Sequence, residues 1–188
     1  MHVSDSQTDN VERHELHHRQ LDIRFFQRSD GLFEVEGRLL DRKTHPFRRL
    51  LHDCDTPAGA PLHDIRVRLT IDESLLVHDA SATLAASPFE VCRGAANTLT
   101  PLKGLRIGAG WNKRVRELLG GAASCTHIME LLGPMATTIY QGLAPQRLAR
   151  ITQQGNDGHL SKVDSCYAYA GHREVVARLW PNRHKKTE

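Results

Sequence analysis

Cys125 and His127 stand two residues apart at what reads as the start of a helix, and a thiol beside an imidazole is a compact unit of nucleophilic chemistry. Free backbone N–H groups and the positive end of a helix both favour a thiolate at that place. Thiols so placed fall below their usual pKa of about 8.5. The approach through Gly120-Gly121-Ala122-Ala123 would let a ligand come close to the backbone. Glu130, three residues past His127, falls on the same side of the helix, where it could orient the imidazole or act as a further ligand. Cys92 follows Phe89-Glu90-Val91 where a second helix is expected to begin, so two thiols at two helix starts could converge on one pocket. His63 opens a strand as a ligand or a base. In the catalytic reading His63, Cys92, Cys125 and His127 are nucleophile and acid/base. In the metal reading Cys92, Cys125, His127 and Glu130 hold a divalent ion such as zinc or iron. A plain structural reading stands beside both, with the cysteines in a core and the histidines hydrogen-bonded to loops.

The elements that must position these residues follow from periodicity. Ser29-Asp30-Gly31 is a turn signal, and Leu32 to Asp41 then alternates, with Phe33, Val35 and Leu39 on one side and Glu34, Glu36 and Arg38 on the other. A proline-containing loop covers 42–62. From His63 the alternation returns, with Ile65, Val67, Leu69 and Ile71 on one face and Asp64, Arg66, Arg68 and Thr70 on the other. A third run spans Leu76 to Leu84; within it His78 and Asp79 point to opposite faces. Three such strands in series predict an antiparallel meander with one covered face, and Arg66 and Arg68 opposite Glu34 and Glu36. Beyond Pro88 the period lengthens to that of helices. One helix is predicted around Ala95 to Leu102, a second from Trp111 to Leu119, with Trp111 a core anchor, and a third from Ser124 or Thr126. Gly133-Pro134 should kink or divide that third helix. A loop over 153–162, a strand over 163–170 and a last helix over 173–180 complete the reading. Strands first and helices after predict an α+β fold: a three-stranded antiparallel meander covered on one face by helices.

Composition bounds the rest. The chain has 188 residues, of which 39% are hydrophobic and 25% charged, with a formal charge of +3 and a mean hydropathy of −0.45. These values describe a globular chain, predicted as a flexible polar tail over 1–20, one domain over 21–182 and a basic tail over 183–188. No apolar run reaches the roughly 20 residues of a membrane helix, and the first twenty residues lack the apolar stretch of a secretory signal, so a cytoplasmic protein without a membrane is expected. Four cysteines lie 33 to 41 residues apart, which excludes CxxC zinc ribbons and thioredoxin motifs. Basic residues cluster without the aromatic interleaving of a single-strand binder, so nucleic acid is not an expected partner. Phosphate loops, nucleophile elbows and HExxH motifs are all missing from the sequence, and Gly108-Ala109-Gly110 is too short for a dinucleotide fingerprint.

Three segments carry a resemblance: Asp30 to Arg38, His63 to Asp72, and Gly120 to Leu132. Together they resemble the bacterial domain-of-unknown-function family numbered 2889, over roughly residues 22–182. Membership implies no activity but draws attention to His63, Cys92, Cys125 and His127. A second likeness is to the iron–sulfur cluster scaffold proteins of the NifU type, which carry a first Cys after the third strand and a last Cys opening a helix after a Leu-Gly-Gly stretch. Cys92 and Cys125 match those places. The chain departs from that pattern in having no cysteine between them, no Asp two residues after Cys92, and a His after Cys125 instead of before it. What this likeness implies is a related fold.

The reading taken forward is a small-molecule enzyme, of lyase, hydrolase or isomerase type, using a Cys/His site with or without a metal ion. Its alternatives are a non-catalytic metal- or iron–sulfur-handling protein, and a binding module whose cysteines are structural.

Overall fold

The computed structural model describes residues 11–146 and 162–185. Backbone proximity divides the chain into two compact units, Met1–Tyr140 and Gln141–Glu188, where the sequence reading has one domain over 21–182.

The first unit is built on a four-stranded antiparallel sheet. In chain order the strands are β1 (His17–Gln27), β2 (Phe33–Lys43), β3 (Phe47–Arg48), β4 (Asp55–Thr56), β5 (Pro61–Ile71) and β6 (Val77–Ala86). The main sheet runs β1-β2-β5-β6, and β3 and β4 form a small ribbon in the connection between β2 and β5. The α+β class read from the sequence is correct, with one strand more than the three expected. β1 is that strand, and it begins at His17, so His17 to Gln20 belong to the sheet and not to a tail. The turn at Ser29-Asp30-Gly31 joins it to β2; Gly31 takes a φ of +84°, and the Asp30 carboxylate accepts the Leu32 N–H.

Alternation sets the two faces. Phe33, Val35 and Leu39 of β2 and Ile65, Val67, Leu69 and Ile71 of β5 are buried together. Gly37 completes that row for a steric reason: a Cβ there would sit 2.9 Å from Met135 Sδ. On the opposite face Arg68 lies across from Glu36 and donates to it at 2.9 and 3.1 Å. Arg66 lies across from Arg38, however, and not from a glutamate, because the register places Glu34 opposite Thr70.

After β6 the chain forms 3₁₀ turns, Glu90–Thr98 and Thr100–Leu102, instead of the α-helix expected there. The first of these has no buried residue, so no apolar stripe draws it into a longer helix. Helix α1 (Trp111–Leu119) starts after Gly110, whose φ is +83°, and Trp111 anchors it by donating its indole N–H to the Leu132 carbonyl at 3.1 Å. Helix α2 (Thr126–Gly142) runs through Gly133-Pro134 undivided. Ile128, Leu131, Leu132, Met135 and Ile139 are fully buried along it, and that burial outweighs the one backbone bond that proline removes. Gly133 admits Asn112 of α1, whose Oδ1 would lie 3.4 Å from a Cβ at that position.

In the second unit the residues 163–170 are turns, not the expected strand, with the Asp164 carboxylate accepting the Gly171 N–H at 2.8 Å. The last helix is present as α3 (Glu174–Leu179). The loop expected at 153–162 lies outside the described residues except for Lys162. Among the described residues no helix is long and apolar enough to cross a membrane.

Candidate functional site

Three neighbouring strands each contribute one residue to a single row on the helix-covered face: Arg19 of β1, Asp41 of β2 and His63 of β5, which are direct cross-strand partners. The row is where the covered face stops being apolar. Pairing between β2 and β5 shifts register immediately after Asp41, the kind of irregularity that re-aims side chains beside functional sites.

Asp41 is 1% exposed and is the hub. Arg19 donates to both of its oxygens, Nε to Oδ1 and Nη2 to Oδ2, each at 2.7 Å. His17 Nε2 donates to Oδ1 at 3.2 Å and His63 Nδ1 to Oδ2 at 3.0 Å. Burial alone would push this carboxyl up, but the hydrogen bonds from Arg19, His17 and His63, with the Arg19 charge, hold it well below the usual carboxylate range. Asp41 is therefore an anion throughout the physiological range.

The helix supplies the facing pair. Cys125 occupies the N-cap position of α2, and its carbonyl accepts the Met129 N–H at 3.1 Å. Its sulfur takes the place of the usual capping oxygen, with the backbone N–H groups of His127 and Ile128 directed at it. Cys125 Sγ lies 3.7 Å from His127 Nδ1, and His127 Nε2 lies 3.9 Å from Asp41 Oδ2. Burial pushes the Cys125 thiol up; the His127 ring and the two N–H groups outweigh it, and the thiol sits below its ordinary value. The His63 and His127 rings are 3.9 Å apart at their centroids. Burial and repulsion from the facing His127 ring push His63 down, against the pull of Asp41, which favours the neutral form with Nδ1–H on Asp41 and a lone pair on Nε2.

Of the residues singled out from sequence, His63, Cys125 and His127 come together. Glu130 does not turn to His127: the guanidinium of Arg19 reaches across from β1 and takes both its oxygens, at 2.7 and 2.9 Å. Glu130 thereby steadies Arg19, which steadies Asp41. Cys92 is the third residue of the first 3₁₀ turn, half-buried, and among the described residues no hydrogen bond, ion pair or ligand cluster joins it to Cys125 or His127. Asp41, Arg19 and His17 are the functional candidates that sequence reasoning missed. Asp41 and His63 lie in phase with the buried residues of their strands, so a charged group at the end of an inward-facing register was the available signal. Cys54 and Cys166 are exposed.

The family model described as Protein of unknown function (DUF2889) matches residues 17–141. The chain belongs to this family. The matched span opens on the first residue of β1 and closes near the end of α2, so the whole constellation, from His17 to Glu130, lies inside the family domain. No curated protein and no solved structure matches the chain.

Proposed function

We propose that this protein is an enzyme that works on a small molecule through a thiol–imidazole couple, with Cys125 as nucleophile and His127 as its base and acid. The observation that carries this reading is the alignment Cys125 Sγ, His127 Nδ1, His127 Nε2, Asp41 Oδ2, with gaps of 3.7 and 3.9 Å at its two ends. Catalytic contacts of this kind are often long without substrate and tighten on binding. In the forward step His127 Nδ1 takes the thiol proton and the thiolate attacks an electrophilic carbon of the substrate. The imidazolium is stabilised by Asp41, and the same proton passes to the departing group. Asp41 orients and compensates without itself becoming protonated. His63, neutral and in contact with His127, offers a second acceptor at Nε2.

A second reading rests on Asp41, His63 and His127, whose ligand atoms all lie within 4.8 Å of one another. The donor types suit zinc or iron. Asp41 suits it poorly as a ligand, because its roughly four acceptor positions already receive Arg19 twice, His17 and His63. A metal here would be held by the two imidazoles, with Asp41 behind His63.

An activated ester such as p-nitrophenyl acetate separates the two. Intact-mass and peptide analysis should find a single acetyl group on Cys125, absent in Cys125→Ser and formed at least about a hundredfold more slowly in His127→Ala. Acetylation spread equally over Cys54, Cys92, Cys125 and Cys166 would overturn the catalytic reading. Stoichiometric zinc binding that needs His63 and His127 would put the metal reading in its place.

A further inference from the structure

One cavity of the first unit lies away from the thiol, on the opposite face of the sheet. It has a volume of about 490 Å³ and is lined by Asp22, Arg24, Glu36, Arg38, Arg66 and Arg68, with Ser81 and Thr83 along one wall. Its charges do not cancel. Asp22 pairs with Arg24 at 3.0 Å, Asp64 with Arg38 at 2.7 Å, and Glu36 with Arg68 at 2.9 Å. Arg66 makes no hydrogen bond or ion pair among the described residues, although Asp64 feels its charge. It stands directly across from Arg38, whose guanidinium is already held by two bonds to Asp64, so Arg66 is left as the guanidinium with its donors open. Thr83 is its partner on β6, and Ser81 is the partner of the neighbouring Arg68, so both hydroxyl residues line the same cavity.

We propose that this cavity binds a small oxyanion, a phosphate ester or a carboxylate, with Arg66 as the anchor and Ser81 and Thr83 as further donors. A guanidinium presents its N–H groups as a fork that matches either oxyanion two bonds at a time. The volume falls within the range of small-molecule sites. The inference is independent of the Cys125 site.

The test is a backbone-amide NMR titration of the full chain with glycerol 3-phosphate, with citrate and with glycerol. Saturable shifts at Arg66, Ser81 and Thr83 are expected with one or both anions and none with glycerol; which anion binds identifies the chemistry. Arg66→Ala should weaken binding at least about tenfold, as losing a charge-assisted hydrogen bond does, and Arg66→Lys should recover part of it. Arg66→Gln serves equally if the alanine variant does not give a native spectrum. The alkylation rate of Cys125 should be the same in wild type and in the Arg66 variants. No saturable shift with either anion, equal affinity in wild type and Arg66→Ala, or shifts confined to the Arg19–Asp41–His63 row would each overturn the proposal.

Discussion

Replacing Asp41 by Asn would leave Arg19, His17 and His63 donating towards a neutral amide that accepts at only one atom, in a position with almost no solvent. Removing one member of a buried charge pair costs several kcal/mol, and because Arg19 is itself about a third exposed, about 3 kcal/mol is expected. Urea unfolding of Asp41→Asn measures this, and a loss below about 0.5 kcal/mol, the range of ordinary surface changes, would mean that Asp41 is not the hub. At this scale the sequence was half legible. Cys125 and His127 are neighbours in the chain, and they meet because Cys125 caps α2 from outside the helical backbone, where its side chain folds back over the first turn. Arg19 and Asp41 meet only through strand pairing over 22 residues, and their chemistry is invisible until β1 is recognised as a strand.

The sheet decides which side chains can reach the site, and two adjacent residues of β5 separate its faces. Val67 is 1% exposed beneath the helices, whereas Arg68 points outward to Glu36. Val67→Asp should unfold the protein or cost more than about 4 kcal/mol by burying an unpaired carboxylate. Arg68→Ala should cost about 0.5 kcal/mol, as an exposed ion pair does. Similar melting temperatures for the two variants would contradict the assigned faces. β2 and β5 were readable because their alternation is unbroken over Phe33–Leu39 and Ile65–Ile71. β1 was not, since as an edge strand it buries little and Leu21, Ile23 and Phe25 alternate with only weak contrast. The run before α1 was misjudged for the reverse reason: Ala95, Ala96 and Leu99 have helical spacing, yet nothing in 90–98 is buried, so no packing rewards a full helix.

For the molecule as a whole, the perturbed groups set how it responds to acid. His63 is held below its ordinary 6.5, so below that pH the unfolded chain takes up protons that the folded chain refuses, and stability falls as pH falls through the window. Asp41 acts in the same sense lower down: its stabilisation is complete above 3.8 and is lost as pH drops towards its depressed folded value. The melting temperature should therefore decline between about pH 7 and about pH 5, and less steeply in His63→Asn. A flat wild-type profile over that range would contradict the placement of His63. The α+β architecture was legible from the order of strands and helices, whereas the division after Tyr140 was not, because it falls within the one continuous helix α2, where no linker composition marks it. What the account rests on is one thiol activated by one imidazole. The most direct measurement is the pH dependence of iodoacetamide labelling of the native chain, read peptide by peptide, with exposed Cys54 as the internal standard. Cys125 should label with a midpoint below the ordinary thiol value of about 8.5, and His127→Ala should move that midpoint up. A Cys125 profile that follows Cys54, is unmoved by His127→Ala, or is missing until the protein unfolds would contradict the account.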